Sequence, residues 1–277
     1  MGASVAAFFG SFRLGISLLA ALTTLFLQIL SNLANDYGDA QKGTDNKNRV
    51  GPERTVQSGK ISQKEMKSAM TIFVGLSLIS GILLIFHGTL GMNMSVSFSF
   101  FVLGIAAIAA SILYTVGNKA YGYSGFGDFF VFIFFGIVAV VGTFILNAQY
   151  FRWDVLLPAA SIGFFSTGVL NLNNLRDIEN DSLSGKNTIA VRLGERFTKH
   201  YHLLLIILGI ISALLFNLLN YKNILSFLWI ILIVPLFIAD LMKIYKITEL
   251  KLLDPFLKKL AIKTLLFVLI YGLGLVF

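Results

Sequence analysis

The chain has 277 residues, 56% of them hydrophobic and only 13% charged, with a net charge of +8 and a mean hydropathy of +0.81. Soluble domains carry about a quarter charged residues, so this composition excludes a soluble globular protein and defines a polytopic membrane chain. Cysteine is absent, which removes disulfide frameworks, thiolate metal sites and cysteine nucleophiles together.

Apolar runs near the roughly 18 to 20 residues that cross a bilayer cover 13–35, 64–86, 98–116, 127–147, 155–173, 201–219, 224–243 and 261–277. They show no barrel-like alternation, and backbone in lipid must satisfy its own hydrogen bonds. The expectation is an all-α bundle of eight full spans forming a single transmembrane domain, 1–277. An opening apolar piece, Ala3 to Gly10, is too short to span. It reads as the end of a ninth helix, an interfacial segment or a signal remnant, although it lacks a basic n-region.

Nineteen of the 22 Lys and Arg lie in the loops 36–67, 117–126, 174–200 and 243–263, whereas the opposite side holds only Arg13, Arg152 and Lys222. By the positive-inside rule the first set is cytoplasmic, which places the chain in the cytoplasmic (inner) membrane with those loops toward the cytoplasm. The basic excess needs no nucleic-acid partner. Topology and anionic membrane lipid account for it, together with an anionic substrate.

The first span ends in Asn32, Asn35, Asp36 and Asp39. At 3.6 residues per turn these groups converge on one helical face. Carboxylates at the hydrocarbon boundary are costly unless they pair, line a wet cavity or hold a metal. Oxygen ligands without His or Cys suit a hard cation, and Mg²⁺ binds through few carboxylates plus substrate phosphate. The alternative is a solvated helix end. The following loop carries Lys42, Lys47, Arg49, Arg54, Lys60, Lys64 and Lys67 around Gly51-Pro52; Arg54 is a candidate phosphate ligand, since Arg clamps phosphate bidentately, against an ordinary positive-inside loop.

Spans 64–86 and 98–116 carry small residues that let membrane helices approach closely. After them, Tyr114, Lys119, Tyr123 and Asp128 join aromatics, a cation and a carboxylate at the entry to the next span. They suit a flat aromatic acid, or equally an interfacial Tyr belt with a helix-capping Asp. The span 155–173 leads into Asn173, Asp177 and Asp181, spaced i, i+4, i+8, and then Lys186, Arg192 and Arg196. Carboxylates followed by cations thus occur twice, the combination that a metal-bridged diphosphate needs. Beyond residue 200 only Asp240 stands out, and it is expected to pair with neighbouring Lys243.

On these residues the chain resembles the UbiA-type intramembrane aromatic prenyltransferase superfamily. Asn35-Asp36-x-x-Asp39 is similar to its first aspartate-rich motif and Asp177-x-x-x-Asp181 to its second. The longer signatures Asn35-Asp36-Tyr37-Gly38-Asp39-Ala40-Gln41-Lys42-Gly43-Thr44-Asp45-Asn46, Gly51-Pro52-x-Arg54-x-x-Gln57-Ser58-Gly59 and Asn173-Asn174-x-Arg176-Asp177-Ile178-Glu179-x-Asp181 resemble its 1,4-dihydroxy-2-naphthoate polyprenyltransferase branch. The resemblance implies a nine-helix plan around a central lipid-like cavity. It implies transfer of a polyprenyl group from polyprenyl diphosphate to the naphthoate, with loss of CO₂ and diphosphate, giving demethylmenaquinone in menaquinone biosynthesis. Mg²⁺ would be held by Asn35, Asp36, Asp39, Asp177 and Asp181, with Asp45, farther from Asp39 than the superfamily's third Asp, as an outlying candidate. Asn32, Arg54, Lys119, Asn173, Lys186, Arg192 and Tyr114 would contact substrate, and Tyr123 or Asp128 would orient or deprotonate the phenol.

Two rival classes fit less well. CDP-alcohol phosphotransferases concentrate their aspartates in one array, whereas here four spans separate the clusters. An ion-coupled transporter would place its acids near the bilayer midplane.

Overall fold

Helix formation is the way these apolar runs satisfy their amides in lipid, and among the described residues eight helices are long and apolar enough to cross a membrane. The computed structural model describes residues 1–44, 54–220 and 224–277, and no strand occurs among them. The helices are α1 (Gly2–Phe8), α2 (Leu14–Lys42), α3 (Gln63–Gly88), α4 (Met94–Leu113), α5 (Gly127–Ala148), α6 (Leu156–Arg176), α7 (Ile178–Leu183), α8 (Ile189–Leu219), α9 (Ile224–Lys246) and α10 (Asp254–Val276). The eight expected spans are all present.

Several ends differ from the hydropathy reading. α2 continues past residue 35 to Lys42, so Asp36 and Asp39 sit on helix. α8 begins at Ile189, broken at Gly194, whose φ of 73° favours glycine. α10 begins at Asp254. Hydropathy stops where polar residues begin, but a helix propagates as long as one face still packs.

The chain divides into two units. Unit one comprises Met1–Arg13, Asp128–Ile178 and Ile189–Phe277. Within it α6 is the most enclosed span, packed against α5, α8 and α10. α5 has a π-helical segment, Phe132–Val138, and there Gly136 meets α6 so closely that an added Cβ would lie 2.6 Å from the Gly163 Cα. The short α1 buries Val5, Ala6 and Phe8 against the α5 and α10 ends, so the opening apolar piece is a packed partial helix. Phe165, Phe237, Phe267, Trp229 and Tyr271 fill the core.

The expected pairing of Asp240 with Lys243 is corrected. Lys243 follows on the same helix, three residues along, but Asp240 binds Lys263 of α10, whose Nζ also donates to the Leu236 carbonyl at 2.6 Å. A cation from the facing helix supplies the closer partner.

Unit two comprises Leu14–Gly127 and Glu179–Thr188. α2 packs on α3 and α4, and its buried residues gather at its C-terminal end, at Ala34, Asp36, Tyr37, Gly38 and Asp39. α3 starts at a capping box in which Glu65 receives the Ser62 amide at 2.8 Å while the Ser62 hydroxyl receives the Glu65 amide. α4 has no buried residue, as suits a lipid-facing helix.

Candidate functional site

The acidic end of α2 sits where it does because Gly38 lets the helix touch the segment following α4. An added Cβ there would lie 2.7 Å from the Thr115 carbonyl carbon and hydroxyl. Thr115 completes the junction by donating to the Ala34 carbonyl at 2.9 Å, with Asn35 Oδ1 at 3.3 Å. One turn on, the carboxylates of Asp36 and Asp39 are 7% and 6% exposed. Asp36 Oδ2 accepts from the Thr55 amide at 3.1 Å and the Thr55 hydroxyl at 2.5 Å, whereas its buried Oδ1 has no partner in the protein.

Tyr123, in the 3₁₀ turn Tyr121–Ser124, is the centre of the cluster. Its hydroxyl donates to Asp39 Oδ1 at 2.8 Å and receives the Thr44 hydroxyl at 2.5 Å. Its carbonyl accepts the Asn187 amide at 3.0 Å. Lys42 Nζ lies 3.9 Å from its ring centroid and Lys186 Nζ 5.5 Å, a cation–π arrangement on both counts. Burial, and then the negative charge of Asp39, push the Tyr123 hydroxyl well above the usual tyrosine range.

The second motif joins from α7 and the turn after it. Asn180 Nδ2 donates to the Thr44 carbonyl at 2.9 Å, the Lys186 amide to the Asp181 carbonyl at 2.8 Å, and Lys186 Nζ stands 3.7 Å from Asp181 Oδ1. Asp36, Asp39, Asp181, Lys186 and Tyr123, expected from sequence, therefore occur together within unit two. Lys42, Thr44, Thr55 and Asn180 are site residues that the sequence reading passed over, although Lys42, Thr44 and Asn180 all lie inside or beside the quoted motifs.

Asp177 is placed differently. It belongs to unit one and caps the end of α6, with both oxygens taken by Arg176, Nε to Oδ1 at 2.9 Å and Nη2 to Oδ2 at 2.6 Å. Arg176 Nη2 also reaches Asn173 Oδ1 at 2.9 Å, and Nη1 binds Asp254 at the start of α10. Asp177 is thus engaged by a cation, and Asp254 is a partner that nothing in the sequence singled out. Asn32, Lys119 and Arg192 are exposed, while Arg54 and Tyr114 are half-buried. Tyr114 packs edge-on against Tyr121 with ring centroids 5.4 Å apart. Asp128, at the start of α5, is buried in unit one. Asp45 lies outside the described residues.

The donor set fits Mg²⁺. Among the described residues no three His, Cys, Asp or Glu stand close enough to hold an ion alone. A cation that takes one or two carboxylates and completes its shell with phosphate and water needs no more than Asp36 and Asp39, and the orphaned Asp36 Oδ1 is a buried acceptor of the required kind.

Eight apolar helices with paired aspartate motifs at helix ends, interleaved with lysines, define an intramembrane enzyme of the prenyltransferase class. The chain belongs to the UbiA prenyltransferase family, whose sequence model matches residues 1–263. It is 42% identical over 260 residues to the 1,4-dihydroxy-2-naphthoate octaprenyltransferase of Haemophilus influenzae, covering 94% of this chain and 83% of that one. Identity to the Escherichia coli protein of the same name is 40% over 276 residues, covering 99% and 88%. The fold is similar to that of a UbiA homolog from Archaeoglobus fulgidus solved with DMAPP and Mg²⁺, with a TM-score of 0.63 at 19% identity over 99% of this chain and 93% of that one.

Proposed function

We propose that the protein transfers a polyprenyl group from polyprenyl diphosphate to 1,4-dihydroxy-2-naphthoate, releasing CO₂ and diphosphate and giving demethylmenaquinone at the quinol level. The observation that carries this reading is the Tyr123 cluster, in which one hydroxyl holds Asp39 while two lysines approach the same ring. Asn35, Asp36 and Asp39 would hold Mg²⁺, with Asp181 beside them. When bound, the ion supplies positive charge that offsets the charge growing on the leaving diphosphate.

The protein's own part is electrostatic and positional. Lys42 and Lys186 donate to the outer diphosphate oxygens, with Arg54 as a third candidate, so the carbon–oxygen bond of the allylic diphosphate breaks with its electron pair leaving on oxygen. Tyr123, kept protonated, holds Asp39 rather than serving as a base. Arg176 fixes Asp177 and the end of α6. Apolar walls exclude water from the allylic cation until the electron-rich ring attacks; the carbon–carbon bond to the ring carboxylate then breaks, CO₂ leaves and the bonding pair restores the aromatic ring, while Asp128 orients the ring hydroxyl. The site faces the cytoplasm, as the distribution of Lys and Arg supports.

The test is diphosphate release by purified protein in detergent with farnesyl diphosphate and the naphthoate. Release that requires Mg²⁺ and falls at least a hundredfold in Asp39→Ala supports the reading. Release without Mg²⁺, or release undiminished in both Asp36→Ala and Asp39→Ala, sinks it.

A further inference from the structure

Unit one holds a second buried polar cluster that diphosphate chemistry does not use. Asp128 opens α5 at 4% exposure, and its Oδ2 has no hydrogen-bond partner in the protein. Its carboxyl group receives the hydroxyl of Tyr201, from α8. From α6, the Thr167 hydroxyl lies 3.4 Å from the Asp128 carbonyl oxygen. Asn171 stands one turn farther along α6 on the Thr167 face. It is 1% exposed, and neither its amide nitrogen nor its oxygen has a partner in the protein.

Orphaned buried groups of this kind are costly, and a carboxylate more so than an amide. They persist where the surroundings hold them and a ligand satisfies them. The surroundings here are rigid, because the Gly136–Gly163 contact locks α5 to α6 one turn from Thr167. Phe132 and Phe164, on the same two helices with ring centroids 4.8 Å apart, add aromatic surface.

We propose that Asp128 and Asn171 bind the aromatic acceptor and that Tyr201 positions Asp128 for it. This rests on the prenyltransferase reading and names the residues of its acceptor site. The acceptor's ring hydroxyl donates to Asp128 Oδ2, and the Asn171 amide donates to the neighbouring carboxylate. Tyr201 and the Asp128 backbone amide take up the carboxyl group's other hydrogen-bonding capacity, leaving Oδ2 as the acceptor for the substrate. An aromatic acid without the hydroxyl leaves Asp128 unpaired and is rejected for that reason, as sites built around a substrate hydroxyl reject analogues lacking it.

The experiment uses the full chain in detergent with Mg²⁺ and farnesyl diphosphate, and two competitive acceptor analogues, 1-hydroxy-2-naphthoate and 2-naphthoate. In Tyr201→Phe the inhibition constant of the hydroxylated analogue is expected to rise about tenfold, with that of 2-naphthoate and the KM for farnesyl diphosphate changed less than twofold. Asn171→Leu, of similar volume, is expected to weaken both analogues about tenfold, since both keep the carboxylate. Asp128→Asn, of the same shape, repeats the selective loss and guards against a folding defect, which an unaltered farnesyl diphosphate KM excludes. Equal changes for the two analogues in Tyr201→Phe, no change in either, or a parallel change in the donor KM would overturn the assignment. If the wild-type chain transfers no prenyl group to the naphthoate, the enzymatic reading itself fails; if it does and the variants show no selectivity, only the acceptor site fails.

Discussion

Gly38→Ala tests whether the close approach of α2 to Thr115 sets the geometry of the first aspartate motif. Alanine has the better helix propensity by about 1 kcal/mol, so on local grounds the change stabilises. Against this, the new Cβ would lie 2.7 Å from the Thr115 carbonyl carbon, 2.7 Å from its hydroxyl and 2.8 Å from its Cβ. The first is backbone and the last is fixed to it, so no rotamer change relieves the clash. Overpacking of this kind costs roughly 1–3 kcal/mol, and separating the pair also strains the Thr115 bond to Ala34, worth about 1 kcal/mol. The clash wins, leaving a net loss of about 1–3 kcal/mol. Because Asp36 and Asp39 flank Gly38, the relief displaces the carboxylates, and a misplacement of about 1 Å can cost on the order of 100-fold in rate. The assay is kcat/KM for prenyl transfer with a parallel thermal melt in detergent. Gly81→Ala is the control, since its nearest neighbour, Thr23 Cγ2, is 3.9 Å away. A Gly38→Ala protein with unchanged melting and kcat/KM within twofold of wild type would refute the argument.

Tyr123→Phe removes the donor to Asp39 and is expected to raise the Mg²⁺ concentration needed for half-maximal activity about tenfold, the size of one hydrogen bond to a charged group. Since burial and Asp39 raise this hydroxyl above its ordinary value, its bond to Asp39 is fully present below pH about 10 and is lost only above that. Tyrosinate absorbance should therefore titrate identically in wild type and Tyr123→Phe up to about that pH, and a group missing from the variant's titration below it would contradict the placement. Arg176→Lys keeps the charge but loses the fork that spans Asp177, Asn173 and Asp254; a lowered melting temperature is expected, with Asp254→Asn milder because Asp254 is the more exposed partner. Lys263→Met leaves the half-buried Asp240 without its cation and should cost about 1–3 kcal/mol, whereas the double change with Asp240→Leu should return most of it. A double variant as unstable as the single one would show that the pair is not what matters there.

The spans were readable because length and hydropathy are local properties, and so was the succession of carboxylates and then cations along the chain. What escaped the sequence depends on contacts across long separations or on departures from helix geometry. Tyr123 meets Asp39 across 84 positions, so nothing local distinguished Lys42, which stacks on that ring, from exposed Lys119. Arg176 and Asp177 are adjacent, and adjacent residues on a helix do not face each other. Their pairing became possible only because α6 ends there, with Asp177 at φ −98° and ψ 11°. Asn171 and Tyr201 carried a signal that went unused. Asn171 is a polar group inside an apolar run and Tyr201 opens one behind Lys199 and His200, and in lipid such a residue either packs against a partner or serves a ligand. Tyr201 has its partner in Asp128. Asn171 has none in the protein, and that difference separates a positioning residue from a binding one.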